Sequence, residues 1–413
     1  MSDKKLYKKV HLLPNLQKSW ETVRKNGLAS NSKNSNDDIF NYEQGVGKKL
    51  LALKKKLKNE EFLFKKSTGV AAKRKNKESR PIVVAPIENR IVQRSILNVL
   101  LKEEKIKSLN NQATSFGGIP NRNVADAFKL ITEKAKTAKY FARSDIKSFF
   151  RNIPQADLIQ LIIENLSIKD ETFERLFLNA IKTELDNYEL LGDEKDLFPL
   201  GEIGIAQGSS LSPLLANIFL NEFDQLSNKH GVCCIRFVDD YLLLGPDKKT
   251  VELVFNEGKS WLEKKDLSVY DPFEKNEKGK SGPLYKGFDF LGCSFSPGRI
   301  NPSSKSIENL KLKIQTKLNN SLNDIDKISL AEAIMSVRNT VLGWGNSYQF
   351  CNAREKFEGI DQWIEAEIIK FHREYLKKLQ AREDISKITR RLGIQPLTTC
   401  KSNPLYPYRS INP

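Results

Sequence analysis

Apolar residues return along this chain with two periods. Between Val46 and Lys58, Leu50, Leu51, Leu53 and Leu57 recur at helical spacing with lysines between them, which predicts an amphipathic helix with a wet, basic face. Ile91, Ile96, Val99 and Leu100 repeat that spacing over 89–103. A Gly-, Pro- and Asn-containing loop, SFGGIPNRN (115–123), ends in Asn123, which is placed to cap a helix from Val124 to about Lys136. Helical patterning also covers most of 155–190, then Leu214–Ser227 behind Ser212-Pro213, and past residue 300 the stretches 304–322, 328–349 and 355–380. Runs of strand length are fewer: Pro81–Val84, Tyr140–Asp145, and 233–244, CCIRFVDDYLLL, the most apolar stretch of the chain. Polar stretches at 31–38, 186–204 and 275–283 predict loops, the last of them basic and flexible.

Composition narrows the class. The chain has 413 residues, 39% hydrophobic and 29% charged, which fits a globular protein of two to three domains and argues against wholesale disorder. No apolar run approaches the ~18 residues of a membrane span. The opening MSDKKLYKKV lacks the apolar centre of a signal peptide, so a cytoplasmic protein is expected. Cysteines 233, 234, 293, 351 and 400 form no CxxC pair and only three histidines accompany them, which argues against a structural zinc site or a disulfide framework. The net charge of +17 is concentrated: residues 48–107 hold 18 Lys/Arg against 6 Asp/Glu. That stretch contains Lys54–Lys56, Lys58, Lys65, Lys66, Lys73, Arg74, Lys75, Lys77 and Arg80, and it suits a surface that tracks phosphates.

The chemistry begins at Asp239-Asp240, two carboxylates between apolar runs, the pattern of a β-hairpin with an acidic turn. Taken alone, such a pair is usually only a turn. Asp145 ends a strand of its own, in RSDIKSFF. Two strands delivering three carboxylates to one place create repulsion that divalent cations relieve, and oxygen-only donors suit Mg²⁺. Two such ions about 4 Å apart would activate a hydroxyl and stabilise a leaving oxygen in phosphoryl transfer. The backbone carbonyl of Ile146 could complete a metal shell. In GIAQGSSLSPLLANIFLNEFD (204–224), Gly208 permits close backbone approach and Gln207 sets an amide beside it.

These segments, taken in order, resemble the sequence blocks of reverse transcriptases, most closely the group II intron branch. SRPIVVAPIENRIVQRSILNVLL (79–101) is similar to the fingers block and SFGGIPNRNVADA (115–127) to the block after it. RSDIKSFFRNI (143–153) resembles the first catalytic block, IAQGSSLSPLLANIFLNEFD the PQG block, and IRFVDD (235–240) the YxDD block. GFDFLGCSFS (287–296) resembles the primer-grip block, and VLGWGNSYQFCNAREKFEGIDQWI (341–364) the thumb of group II maturases. The resemblance extends to LQKSWETVRKNG (16–27). Departures include Ala206 for the proline of PQG, Phe237 for the tyrosine of YxDD, Glu88-Asn89-Arg90 for xDR, and 119–122 (IPNR) for RPGR.

The resemblance implies an α+β right-hand polymerase, with fingers and an antiparallel palm followed by a helical thumb. Residues 1–140 would form an N-terminal extension and fingers with part of the palm, 141–300 the palm, and 301–413 the thumb or maturase-like domain. Asp145, Asp239 and Asp240, with the Ile146 carbonyl, would hold two Mg²⁺, with Mn²⁺ as a substitute. Lys73, Arg80, Phe150, Gln207 and Lys275 would meet the incoming dNTP. Arg80 and Lys73 would take its triphosphate, with Arg74 or Lys75 as alternatives to Lys73. Phe150 would exclude a 2′-hydroxyl, and Lys275 would protonate pyrophosphate. Phe290, Leu291 and Gly292 would grip the primer. The implied activity is RNA-directed DNA synthesis with an RNA template, in the setting of a stand-alone bacterial enzyme working with a dedicated non-coding RNA in antiviral defence. A group II maturase or RNA-binding chaperone and a retron-like enzyme are the alternatives. The chain stops after the thumb and carries no His/Cys nuclease pattern, which favours the stand-alone setting.

Overall fold

The computed structural model describes residues 5–30, 33–74, 77–199, 201–276, 278–381 and 388–393. They form two compact units, Met1–Leu284 and Tyr285–Pro413. In the first unit the helices Lys5–Val10, Leu13–Leu28 and Lys33–Glu43 lie against the helix Ile87–Leu100, and Val46–Lys58 packs on Leu13–Leu28 and Lys33–Glu43. Leu6, Leu16, Ile39, Leu53 and Ile91, all fully buried, belong to the core they share. The helix Val46–Lys58 has its predicted bounds, but Leu51 is 54% exposed while Leu50, Leu53 and Leu57 are buried. Leu51 falls on the lysine side of the helix, so three leucines carry the apolar stripe rather than four.

The stretch expected to be a loop at 31–38 is instead largely helix, from Lys33. Its own composition is polar, so the helix is decided elsewhere. Ile39 enters the core at zero exposure and lies so close to Gly27 that a Cβ there would sit 2.7 Å from the isoleucine Cγ1. Burying one isoleucine contributes about 1.5–3 kcal/mol, and tertiary burial overrides weak local propensity. The helix expected over 89–103 starts two residues earlier, and the one after Asn123 stops at Lys134 behind a capping box with Asp126. The helical reading of 155–190 resolves into Gln155–Glu164 and Glu171–Ile181, after which 188–197 forms 3-10 turns. The Leu214–Ser227 helix is broken at Leu220 into Ser212–Phe219 and Asn221–Ser227.

Two sheets lie in the first unit. The hairpin β1 (Thr68–Arg74) and β2 (Lys77–Val84) pairs antiparallel, with Ala72 opposite Arg80. It extends the predicted strand Pro81–Val84 towards its N-terminus, while Lys75 lies outside the described residues. The second sheet has β3 (Tyr140–Asp145), β4 (Cys233–Phe237), β5 (Asp240–Gly245) and β6 (Lys280–Pro283) in the order β4-β5-β3-β6, all antiparallel. The predicted loop 275–283 therefore ends as an edge strand. Its Gly282 crosses Phe141 in register, and β3 would otherwise leave a row of backbone groups unpaired. Phe141, Ala142, Leu242, Leu243 and Leu244 are buried, as expected of central strands covered on both faces.

The second unit starts with a meander of β7 (Phe288–Phe290), β8 (Cys293–Ser296) and β9 (Arg299–Pro302). The helices Ser304–Asn323, Leu330–Tyr348 and Arg354–Gln380 follow close to their predicted bounds. Ser303 and Ser329 cap the first two, the latter in a capping box with Glu332. Leu310, Ile314, Leu318, Phe371 and Tyr375 form their core. No helix of the described residues is long and apolar enough to cross a membrane.

Candidate active site

Strand register places the acids. Asp145, the last residue of β3, lies opposite Asp240, the first of β5. The β4–β5 turn is Val238-Asp239, and the Ile146 N–H donates to the Asp239 carbonyl at 3.2 Å. The three predicted carboxylates thus share one end of the central strand pair. Val238 adopts φ +63°, the left-handed region that a β-branched residue avoids, so the turn is held in strain.

Electrostatics at this edge are those of crowded anions. Burial, then the charges of Asp145 and Asp239, push Asp240 up to about 7. Burial and Asp145 likewise raise Asp239. A cation already answers this field: Lys278 Nζ donates to Asp145 Oδ2 at 2.9 Å and lies 4.8 Å from the centre of the Tyr270 ring. Burial alone would lower the Lys278 pKa, but the hydrogen bond and charge of Asp145 outweigh it and the net shift is upward. Among the described residues, no three His, Cys, Asp or Glu side chains converge on a metal position. The donor set nonetheless fits a hard divalent cation: it offers carboxylate oxygens only, partly shielded from water, and it draws in a lysine as a monovalent stand-in.

The nucleotide-side residues fall into two groups. Arg80 and Gln207 are brought together, with Arg80 Nε donating to Gln207 Oε1 at 2.9 Å. The Val83 N–H donates to the Gln207 carbonyl at 2.8 Å, which lays the 204–210 loop against β2. Only glycine fits next in that loop: Gly208 has φ +113°, and a Cβ would stand 2.8 Å from the Val83 carbonyl oxygen. The Arg80 charge partly offsets the upward shift of Asp239. Phe150 is half-buried, whereas its neighbour Phe149 belongs to the core with Phe219. The Ile205 N–H donates to the Phe150 carbonyl at 2.7 Å, so Phe150 and Gln207 sit on segments tied together.

Other residues are placed apart. Lys73 is exposed on β1, and Arg74 turns to the Glu78 carbonyl. Lys275 is also exposed, and Lys278, three residues on, is the lysine that meets Asp145. Asn276 explains this choice. Its Oδ1 accepts from the Lys278 and Gly279 amides and its Nδ2 donates to the Asp271 and Glu274 carbonyls, folding the loop so that Lys278 turns inward. Phe290, Leu291 and Gly292 make the β7–β8 turn of the second unit, with φ +47° at Leu291 and +79° at Gly292. The Gly292 carbonyl accepts from the Ser303 N–H at 2.9 Å.

Sequence reasoning missed Lys278 and the buried pair Arg236–Asp224. Only the second left a signal: an arginine inside the most apolar run of the chain requires an acidic partner.

The family described as "Reverse transcriptase (RNA-dependent DNA polymerase)" matches residues 65–295. The group II intron-encoded protein LtrA of Lactococcus lactis subsp. cremoris is 33% identical over 155 residues, 37% of this chain and 24% of that protein. Protein YkfC of Escherichia coli (strain K12) is 30% identical over 155 residues, 36% of this chain and 38% of that one. The chain thus aligns with about a quarter to two fifths of the length of these two relatives. Among solved structures, apo telomerase from Candida tropicalis has a TM-score of 0.43 at 13% identity, covering 80% of this chain and 63% of that chain. The family match spans more than half of the residues, and the chain belongs to the reverse transcriptase family.

Proposed function

We propose that this chain is an RNA-directed DNA polymerase that extends a primer 3′-hydroxyl with dNMPs on an RNA template. One observation carries the reading: Asp145, Asp239 and Asp240 share the end of β3–β5, where burial and then their mutual charge raise the pKa of two of them and Lys278 pairs with the third. In this reading Asp145, Asp239, Asp240 and the Ile146 carbonyl hold Mg²⁺. Bound there, magnesium would make the primer hydroxyl a better nucleophile and neutralise charge on the transferred phosphoryl group. Arg80 offers a guanidinium to the triphosphate once it releases Gln207, and Gln207 then faces the nucleotide. Phe150 would fill the space of a 2′-hydroxyl. Lys278, rather than Lys275, holds a proton beside the acids and is the group placed to hand it to departing pyrophosphate. Lys73 would add charge from the hairpin, and Phe290-Leu291-Gly292 would hold the primer end.

The template is proposed to be a dedicated non-coding RNA, in the setting of antiviral defence. The same site chemistry would serve a retron-like enzyme or an intron maturase, and the intron-encoded relatives favour the maturase as the second reading. Sequencing the nucleic acid that co-purifies with the chain separates these settings. Asp239→Ala tests the site: dNTP incorporation on a primed RNA should fall by at least about a thousandfold in a folded protein, and incorporation at the wild-type rate would refute the assignment.

A further inference from the structure

Arg236 is fully buried, an unusual place for a guanidinium, and it lies in β4 three residues before Asp239. Its Nε and Nη2 donate to Asp224 Oδ1 and Oδ2 at 2.7 and 2.6 Å, a bidentate pair in which the acid is 1% exposed. Its Nη1 donates to Asn217 Oδ1 at 3.1 Å and to the carbonyl of Val238 at 2.9 Å. Val238 is the strained residue of the acidic turn. Gly117 also packs closely on that turn. A Cβ on Gly117 would stand 2.6 Å from the Val238 nitrogen, and the Gly117 carbonyl accepts from Asn217 Nδ2 at 2.9 Å. Arg236 therefore holds the turn through the Val238 carbonyl and is itself held by Asp224 and Asn217, while the Ile146 N–H holds the Asp239 carbonyl.

A buried ion pair is weak evidence of a stabilising role. A buried ion pair can often be exchanged for apolar side chains of similar volume without loss, or with a gain. A strained backbone persists only where its surroundings over-determine it. We propose that Arg236, oriented by Asp224, is a positioning residue for the chemistry at the acidic turn: it pins the Val238 carbonyl so that Asp239 and Asp240 stand opposite Asp145. The inference rests on the polymerase reading of the site.

The test uses two variants of the full chain. Arg236→Met/Asp224→Leu replaces the pair with apolar bulk, and Arg236→Lys keeps the charge but cannot make the forked set of bonds. Three readouts are taken: thermal unfolding, kcat and dNTP KM in primer extension, and amide hydrogen exchange over residues 143–148 and 236–241. The double variant is expected to melt within a few degrees of wild type. Its KM should stay within about twofold and its kcat fall about a hundredfold, the cost of a misplacement of roughly 1 Å, with faster exchange over 236–241. Arg236→Lys should lose kcat in the same sense, and it decides the question if the double variant does not fold. Wild-type kcat and exchange in either folded variant would overturn the proposal, as would a kcat loss that merely follows the loss of folded protein. If wild-type protein incorporates nothing, the polymerase reading fails, and unaltered exchange in the variants would separately refute the clamp.

Discussion

Lys278→Met removes the cation from the carboxylate edge and keeps most of the side-chain volume. The pair it breaks is partly screened, with side-chain exposures of 43% for Lys278 and 14% for Asp145. At 2.9 Å two unit charges attract by about 6 kcal/mol at an effective dielectric constant of 20. Solvent screening of the exposed lysine and the entropy of holding it bring the net contribution to about 1–2 kcal/mol, between the values for exposed and buried pairs. The variant also leaves Asp145 without the lysine that pairs with it. In a divalent-free buffer its Tm should fall by about 2–8 °C, at roughly 2–4 °C per kcal/mol for a unit of this size. If magnesium binds only the assembled edge, as proposed, it would stabilise by mass action and would have no ammonium to displace in the variant. The gap between wild type and variant should therefore close as Mg²⁺ is titrated from zero to several millimolar in a calorimetric scan. An unchanged Tm without Mg²⁺, or a gap that stays constant across the titration, would show that these carboxylates do not form a cation site.

Phe150→Ala should lower discrimination between dNTPs and NTPs by about 10- to 100-fold, as judged from the ratio of kcat/KM values; unchanged discrimination would remove Phe150 from the sugar contact. Gly208→Ala puts a Cβ 2.8 Å from the Val83 oxygen at a φ of +113°. It should cost about 1–3 kcal/mol in denaturant unfolding and raise the dNTP KM by moving Gln207. Arg80→Ala frees Gln207 and removes a positive charge, so dNTP KM should rise about tenfold while affinity for primed template changes little; a wild-type KM would exclude Arg80 from the triphosphate.

Much of this architecture is legible in the chain itself, and the failures have local causes. β3 and the β4–β5 hairpin read directly because apolar runs of strand length end in carboxylates. Asn123 reads as a cap because its side chain acts on the next three residues. The helix from Lys33 does not read, because its stability comes from Ile39 entering a core built by distant segments. The break at Leu220 is hidden within a continuous apolar run. Lys278 could not be chosen over Lys275 by spacing, since the four hydrogen bonds of Asn276 decide which lysine turns inward. The acids could be named from sequence because strand register carries them. The groups that hold them in place, Arg236 above all, are recognised only from their partners.

The central claim is RNA-templated DNA synthesis at a magnesium-dependent carboxylate site. Its most direct test is extension of a labelled DNA primer on an RNA of defined sequence by the purified full chain, with four dNTPs, in Mg²⁺ and in EDTA. The account predicts a product complementary to the RNA in Mg²⁺ and none in EDTA. Synthesis in EDTA, or a product whose sequence is independent of the RNA, would contradict it.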